Sequence, residues 1–179
     1  MRLKSVLIPL IGIFLLSLFA QSATAQTNKA CELPQDLQVE IASKYPGKKI
    51  VSLSDLNDDD KGMFQKDHGN ACPGLVDVDF YGDGKPTVAL VLIGKDGGKG
   101  KAELVVAHRV GESWSTVQLD TAKDSIPVVW SQDPGKYQDV YGKKELRAAK
   151  PVIVFCQYEA WAILYAWTDN RVSKIWLAD

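Results

Sequence analysis

The chain reads as an α+β domain: a short N-terminal helix packed on a mostly antiparallel sheet of about seven strands. Three observations predict it. Leu37, Ile41 and Tyr45 recur four residues apart between Pro34 and Pro46-Gly47, the stripe of a short amphipathic helix. From Gly74 onward, apolar residues alternate or run together in strand-length stretches, punctuated by Gly, Asp and Asn turns. No linker-like stretch divides residues 31–179, so they read as one domain.

What precedes the domain reads as an address. Arg2 and Lys4 open the chain, Val6 to Phe19 is apolar, and Ala23-Thr24-Ala25 offers a small-x-small cleavage site before Gln26. Residues 1–25 are therefore expected to be a cleaved signal peptide, and residues 26–30 a polar leader. The apolar stretch is short for a membrane span, which needs about 20 residues. Cys31 follows Asn28-Lys29-Ala30, unlike a lipid-attachment sequence. Taking 25 residues from 179 leaves 154, enough for one core unaided.

Composition narrows the classes. Hydrophobic residues are 46% and charged residues 24%, an ordinary globular balance that excludes a disordered tail or a collagen-like repeat. The formal charge is −1; losing Arg2 and Lys4 makes it −3. Mild acidity argues against nucleic acid and other anionic polymers as partners. Three cysteines remain after cleavage, and in an oxidising compartment two of them pair. Cys31 and Cys72 lie in polar, turn-rich surroundings and form the favoured pair; Cys72–Cys156 is the rival. Cys156 ends the apolar run Val152-Ile153-Val154-Phe155, where a buried thiol is inert.

The elements follow in order. Leu33-Pro34-Gln35-Asp36 opens the first helix, with Pro in its first turn and Asp36 at its positive end. Lys49 to Leu53 reads as a short strand. Asn57-Asp58-Asp59-Asp60 ahead of Met63 and Phe64 reads as a capped helical turn; a metal site is the alternative. Val76, Val78 and Phe80 share one strand face. Thr87 to Ile93 is continuously apolar, as in a central strand covered on both sides. Gly94 to Gly100 turns the chain. Leu104, Val106, His108 and Val110 alternate, and Trp114 to Leu119 returns. Ile126 to Trp130 is a further strand. Asp133 to Lys150 reads as irregular, with two helical turns over Lys143 to Ala149. Val152 to Cys156, Trp161 to Thr168 and Val172 to Leu177 complete the set, with Asp169-Asn170 turning the last hairpin. The hairpins Glu103–Leu119 and Ala162–Leu177 resemble one another loosely, each ending in Leu.

One motif stands out. Asp77-Val78-Asp79-Phe80-Tyr81-Gly82-Asp83-Gly84, followed by a strand to Leu90, resembles the calcium loop of FG-GAP/VCBS-type repeats of secreted proteins. Asp79, Asp83 and the two glycines match that loop. Tyr81 replaces a usual Asn or Asp ligand, and Thr87 replaces the closing acid. The resemblance implies Ca²⁺ held through Asp79 and Asp83, with Asp77 as a third oxygen donor. The alternative is a glycine-rich hairpin turn with its acids in water. Apart from that resemblance, the residues call for no cofactor.

The remaining candidates are sparse. Trp161, Ile163, Tyr165 and Trp167 share one strand face, with Ala160, Ala162, Leu164 and Ala166 on the other. The small face is expected to receive the first helix, leaving the aromatic face as core or as a surface gripping a protein or glycan. Trp114, Trp130 and Trp176 are further members of such a patch. His108 reads as a structural histidine; His68, four residues before Cys72, is a candidate for Cys–His chemistry only if that thiol is free.

No nucleophile, base and oxyanion donor assemble along the chain. The expectation is an exported, periplasmic or secreted, non-catalytic binding module, inhibitor-like or immunity-like, whose partner is a protein or envelope component. The alternatives are an envelope-polymer hydrolase recruiting Glu159, Asp79 or His68, and a calcium-stabilised structural module.

Overall fold

The computed structural model describes residues 29–96 and 100–178. The expected signal peptide, the leader through Asn28 and the tip of the Gly94–Gly100 turn lie outside the described residues. A 3₁₀ turn, Lys29–Cys31, precedes helix α1 (Gln35–Lys44), strand β1 (Lys48–Ile50) and helix α2 (Asp58–His68). The rest is strand: β2 (Leu75–Asp77), β3 (Thr87–Gly94), β4 (Lys101–Val110), β5 (Ser113–Lys123), β6 (Val128–Gln132), β7 (Gly135–Gln138), β8 (Glu145–Ala148), β9 (Val152–Gln157), β10 (Trp161–Thr168) and β11 (Arg171–Ala178).

The α+β reading holds, but the expected single sheet of about seven strands does not. Among the described residues, eleven strands form three sheets, all antiparallel. One sheet runs β1-β3-β4-β5, with β2 also paired to β3; a second runs β11-β10-β9-β6; β7 and β8 form a separate hairpin. The reason is β3. Its run Val88 to Ile93 is wholly buried, so each face needs its own cover. Val88, Leu90 and Leu92 pack with Leu37 and Ile41 of α1 and with Val105 and Ala107 of β4. Ala89, Val91 and Ile93 belong to a larger core shared with the second sheet, including Val129, Phe155, Ile163 and Tyr165. One sheet alone would leave half of β3 in water.

Two local expectations are corrected. Helix α1 covers β3 and β4, not the small face of β10, and is anchored by an Asp36–Arg109 ion pair. The segment Lys143 to Ala149 is not helical: Glu145–Ala148 is β8, paired with β7. Its Leu146 and Ala148 point inward while Glu145 and Arg147 point out. That period of two sits inside an otherwise polar segment, where four residues are too few to announce a strand. The β7–β8 hairpin lies against β10 and β11, which brings cover to the outer side of the second sheet. Helix α2 covers the remainder: His68 stacks on Trp130 at 5.0 Å, and Asp60 accepts from Gln157 at 3.2 Å. The acidic cluster does cap this helix. Asn57 accepts from the Asp60 N–H at 2.8 Å, and Asp58 to Asp60 occupy the positively polarised first turn.

The two sheets meet along residues 72–74. Cys72 is bridged to Cys31, Cα to Cα 5.1 Å. The Pro73 carbonyl accepts from Val129 of β6 at 2.7 Å, and that of Gly74 accepts from Val91 of β3 at 2.9 Å. A Cβ on Gly74 would lie 2.6 Å from the backbone of Val51, so only glycine lets the chain pass there. Closing a loop of 41 residues with a disulfide stabilises by about 4 kcal/mol in the chain-entropy picture. The Cys31→Ala/Cys72→Ala protein is expected to lose about 2–4 kcal/mol in urea unfolding while keeping its far-ultraviolet circular dichroism. An unchanged midpoint would show that the bridge does not tie this seam.

Candidate functional site

The aromatic face of β10 is divided among three environments. Its register with β9 and β11 aligns Ile163 with Phe155 and Trp176, and Tyr165 with Ile153 and Lys174. Tyr165 is 1% exposed and belongs to the interior between the sheets. Its phenol donates to Asp120 of β5, across the interface. Lys174 of β11 donates to the same carboxylate oxygen at 2.8 Å, and the Thr121 N–H donates to the other at 2.8 Å. Burial pushes the Asp120 carboxyl up, but Lys174, Tyr165 and the Thr121 amide together outweigh it and hold it below the ordinary carboxylate range. Burial, with Asp120 adding to it, pushes the Tyr165 phenol up. The pair is therefore phenol to carboxylate at neutral pH.

A β-bulge puts Asp120 there. Six residue pairs run from the β4–β5 turn, Ser113 to Gln118, and then Leu119 is passed over so that Leu104 faces Asp120. The hairpin of β10 and β11 does the same: six pairs, Arg171 to Trp176, then Leu177 is passed over. The loose likeness between these hairpins in sequence thus has a structural counterpart, a bulge at the same distance from each turn. Bulges re-aim side chains, and these two border one cleft. Its volume is about 320 Å³, between the end of β5 and the ends of β10 and β11. Trp161 and Trp176 line it, with Phe155, Asp120, Lys123 and Lys174. Trp161 is half-buried, its ring edge-on to Phe155 at 5.0 Å. Trp176 is 39% exposed. The cleft therefore pairs aromatic side chains with an acid and two amines, a lining that suits a ligand with both apolar faces and hydroxyl groups.

The other expected residues lie elsewhere. Trp167, six residues from Trp161 and thus about 20 Å along the strand, joins a separate cluster. Tyr81 meets it at 4.9 Å, Phe80 at 6.4 Å, and Tyr81 also stacks on His108 at 4.5 Å. His108 is structural here: Nε2 lies 3.2 Å from Asp83, and Nδ1 2.8 Å from the buried Thr87 hydroxyl. Asp79 accepts from the Gly84 N–H at 3.3 Å and Asp83 from the Lys85 N–H at 3.1 Å. Both carboxylates are thus turned into their own loop, while Asp77 and Asp79 border an open hollow of about 470 Å³ beside Lys85. Among the described residues, no three His, Cys, Asp or Glu side chains gather as a metal shell.

Nor do the candidates for acid–base or thiol chemistry converge. Cys72 is held in the disulfide, which removes the His68/Cys72 pairing. His68 lies between Phe64 and Trp130, its pKa lowered by burial against the opposing pull of Asp67. Burial, with Asp60 adding to it, pushes the Cys156 thiol up to about 12, too weak an acid to supply a thiolate at neutral pH. Glu159 is exposed at a turn with φ 59°. Trp114 packs beside the α1 core under Arg109. Asp120, Lys123 and Lys174 were not singled out from the sequence. Strict alternation along β5 puts Asp120 on the face of Trp114 and Thr116, and the bulge at Leu119 turns it to the opposite face, between the sheets.

Comparison with protein-family models, with curated proteins and with solved structures finds no match.

The Asp120 network has a pH signature. Because its folded pKa is lowered, its stabilisation is complete above the ordinary carboxylate pKa and is lost as pH falls through the folded value. Urea unfolding from pH 7 to pH 2 is expected to show a steeper acid loss in the native protein than in Asp120→Asn. Superimposable pH profiles would remove the network from the account. Tyr165→Phe leaves the carboxylate with Lys174 and is expected to cost about 1–2 kcal/mol at pH 7.

Proposed function

We propose that this protein is an exported, non-catalytic binding module whose ligand occupies the cleft between Trp161 and Trp176. The observation that carries the reading is the exposure of Trp176 at a cleft whose floor is otherwise fixed. Tyr165, Asp120 and Lys174 are held by one another, so the lining is preorganised and binding orders little. A sugar unit is the occupant the lining fits best: the Trp161 and Trp176 rings take its apolar side, and Asp120, Lys123 and Lys174 take hydroxyl groups. Export is supported by the Cys31–Cys72 disulfide, a bond of oxidising compartments. No described helix is long and apolar enough to cross a membrane. A hydrolytic reading has less support: no hydrogen bond or ion pair links any two of Glu159, Asp79 and His68 among the described residues.

Calorimetric titration with oligosaccharides tests this. Trp176→Ala removes a half-exposed ring and is expected to leave the melting temperature within a few degrees while weakening binding at least tenfold, the loss of about 1.4 kcal/mol. Trp167→Ala, in the other aromatic cluster, is expected to leave affinity unchanged. Equal affinities for the native and Trp176→Ala proteins would place the ligand elsewhere.

A further inference from the structure

We propose that the ligand of this cleft is an acidic saccharide, its sugar faces on Trp161 and Trp176 and its anionic groups on a basic groove beyond β11. The inference rests on the reading of the cleft as a binding site and adds the ligand's charge.

The groove is a second hollow, of about 670 Å³, between the β7–β8 hairpin and β11. Five cations line it, Lys143, Lys144, Arg147, Arg171 and Lys174, against Glu145 and Asp169. The groove's lining is thus richer in cations than in carboxylates, in a chain whose formal charge is −1, with Asp120 and Asp139 the acids beside it. Glu145 is taken by Arg147 at 2.6 Å, and Lys174 reaches Asp120. Among the described residues, no carboxylate lies at ion-pair distance from Lys143, Lys144 or Arg171. The nearby Asp139 carboxylate accepts the backbone N–H groups of Lys143 and Lys144, at 2.7 and 3.0 Å, and the Lys144 charge helps hold it ionised. Cations outnumber carboxylates along this groove, so it attracts an anion.

The two hollows are neighbours. Lys174 lines both. Trp176 and Lys174 take the aromatic side of β11, while Ser173 and Ile175 take the side facing β8. An oligomer passing over β11 beside the Val140–Trp176 backbone bond therefore meets tryptophan side chains on one side and the cation-rich groove on the other. The net acidity of the chain argues against polyanions in general; the groove is a local reversal of it, and the adjoining tryptophans favour a polyanion built of sugar rings. Arg171 offers a planar fork and the lysines offer point charges, which suit carboxylate and phosphate alike.

The test uses the full chain without its signal segment and an array of neutral, carboxylated and phosphorylated oligosaccharides of equal length, with inorganic polyphosphate as the sugar-free polyanion. Acidic saccharides are expected to bind at least tenfold more tightly than neutral ones, with an advantage that shrinks as salt rises. Lys144→Gln/Arg171→Gln, both surface changes, is expected to remove most of that advantage, about 10- to 100-fold, and to leave neutral-sugar affinity unchanged. Trp176→Ala is expected to weaken acidic and neutral saccharides together. The carboxylated and phosphorylated arms identify which anion is preferred. Equal binding of neutral and acidic saccharides, both sensitive to Trp176→Ala, would overturn this inference and keep the cleft. Polyphosphate binding as tightly as the acidic saccharides and insensitive to Trp176→Ala would overturn it in favour of a plain polyanion site. No binding by any arm would overturn the cleft reading as well.

Discussion

A buried tyrosine hydroxyl governs the geometry of this protein's open edge. Packing the aromatic face of β10 against the first sheet places Tyr165 in the interior with a polar atom that must be satisfied. The partner is a carboxylate, Asp120, which in turn requires a cation, Lys174. Asp120 can reach only because β5 carries a bulge at Leu119. The bulges in β5 and β11 then border the cleft where Trp161 and Trp176 are presented. Interior packing and the proposed binding surface are therefore one arrangement: Asp120 and Lys174, which satisfy the buried phenol, also line the cleft.

The rest of the fold frames that arrangement. Strand β3, apolar on both faces, forces a layer on each side, α1 on one and the second sheet on the other. The segment from Cys72 to Gly74 joins those layers through a disulfide and two backbone hydrogen bonds. With the sheets fixed there, the far edge, where β5 meets β10 and β11, is held only by side chains. There the Asp120–Lys174–Tyr165 network bridges the two sheets beside the apolar packing of Leu119 and Ala122.

Several features were legible in the sequence for physical reasons. The i, i+4 stripe of Leu37 and Ile41 marks α1, and the unbroken run Val88 to Ile93 marks a strand buried on both faces. The Asn57 cap and the Asp169-Asn170 turn follow from side-chain chemistry, the latter with φ of 50° and 57°. The pairing of Cys31 with Cys72 was favoured by polar surroundings, yet not forced. What covers the aromatic face of β10 was not legible, because alternation reports which residues share a face and not what lies opposite. Asp120 was hidden by the bulge, since one passed-over residue reverses the in–out reading beyond it. The basic groove was hidden for another reason: its cations come from the β7–β8 hairpin and β11, whose meeting is tertiary.

The central claim is that Trp161 and Trp176, of the five tryptophans, form the ligand site. The five indole N–H resonances of the uniformly ¹⁵N-labelled protein, each assigned by a single Trp→Phe variant, test this directly during titration with an acidic oligosaccharide. The account predicts saturable shifts for Trp161 and Trp176, with those of Trp114, Trp130 and Trp167 stationary. Movement confined to Trp130 or Trp167, or no movement at Trp176, would contradict it.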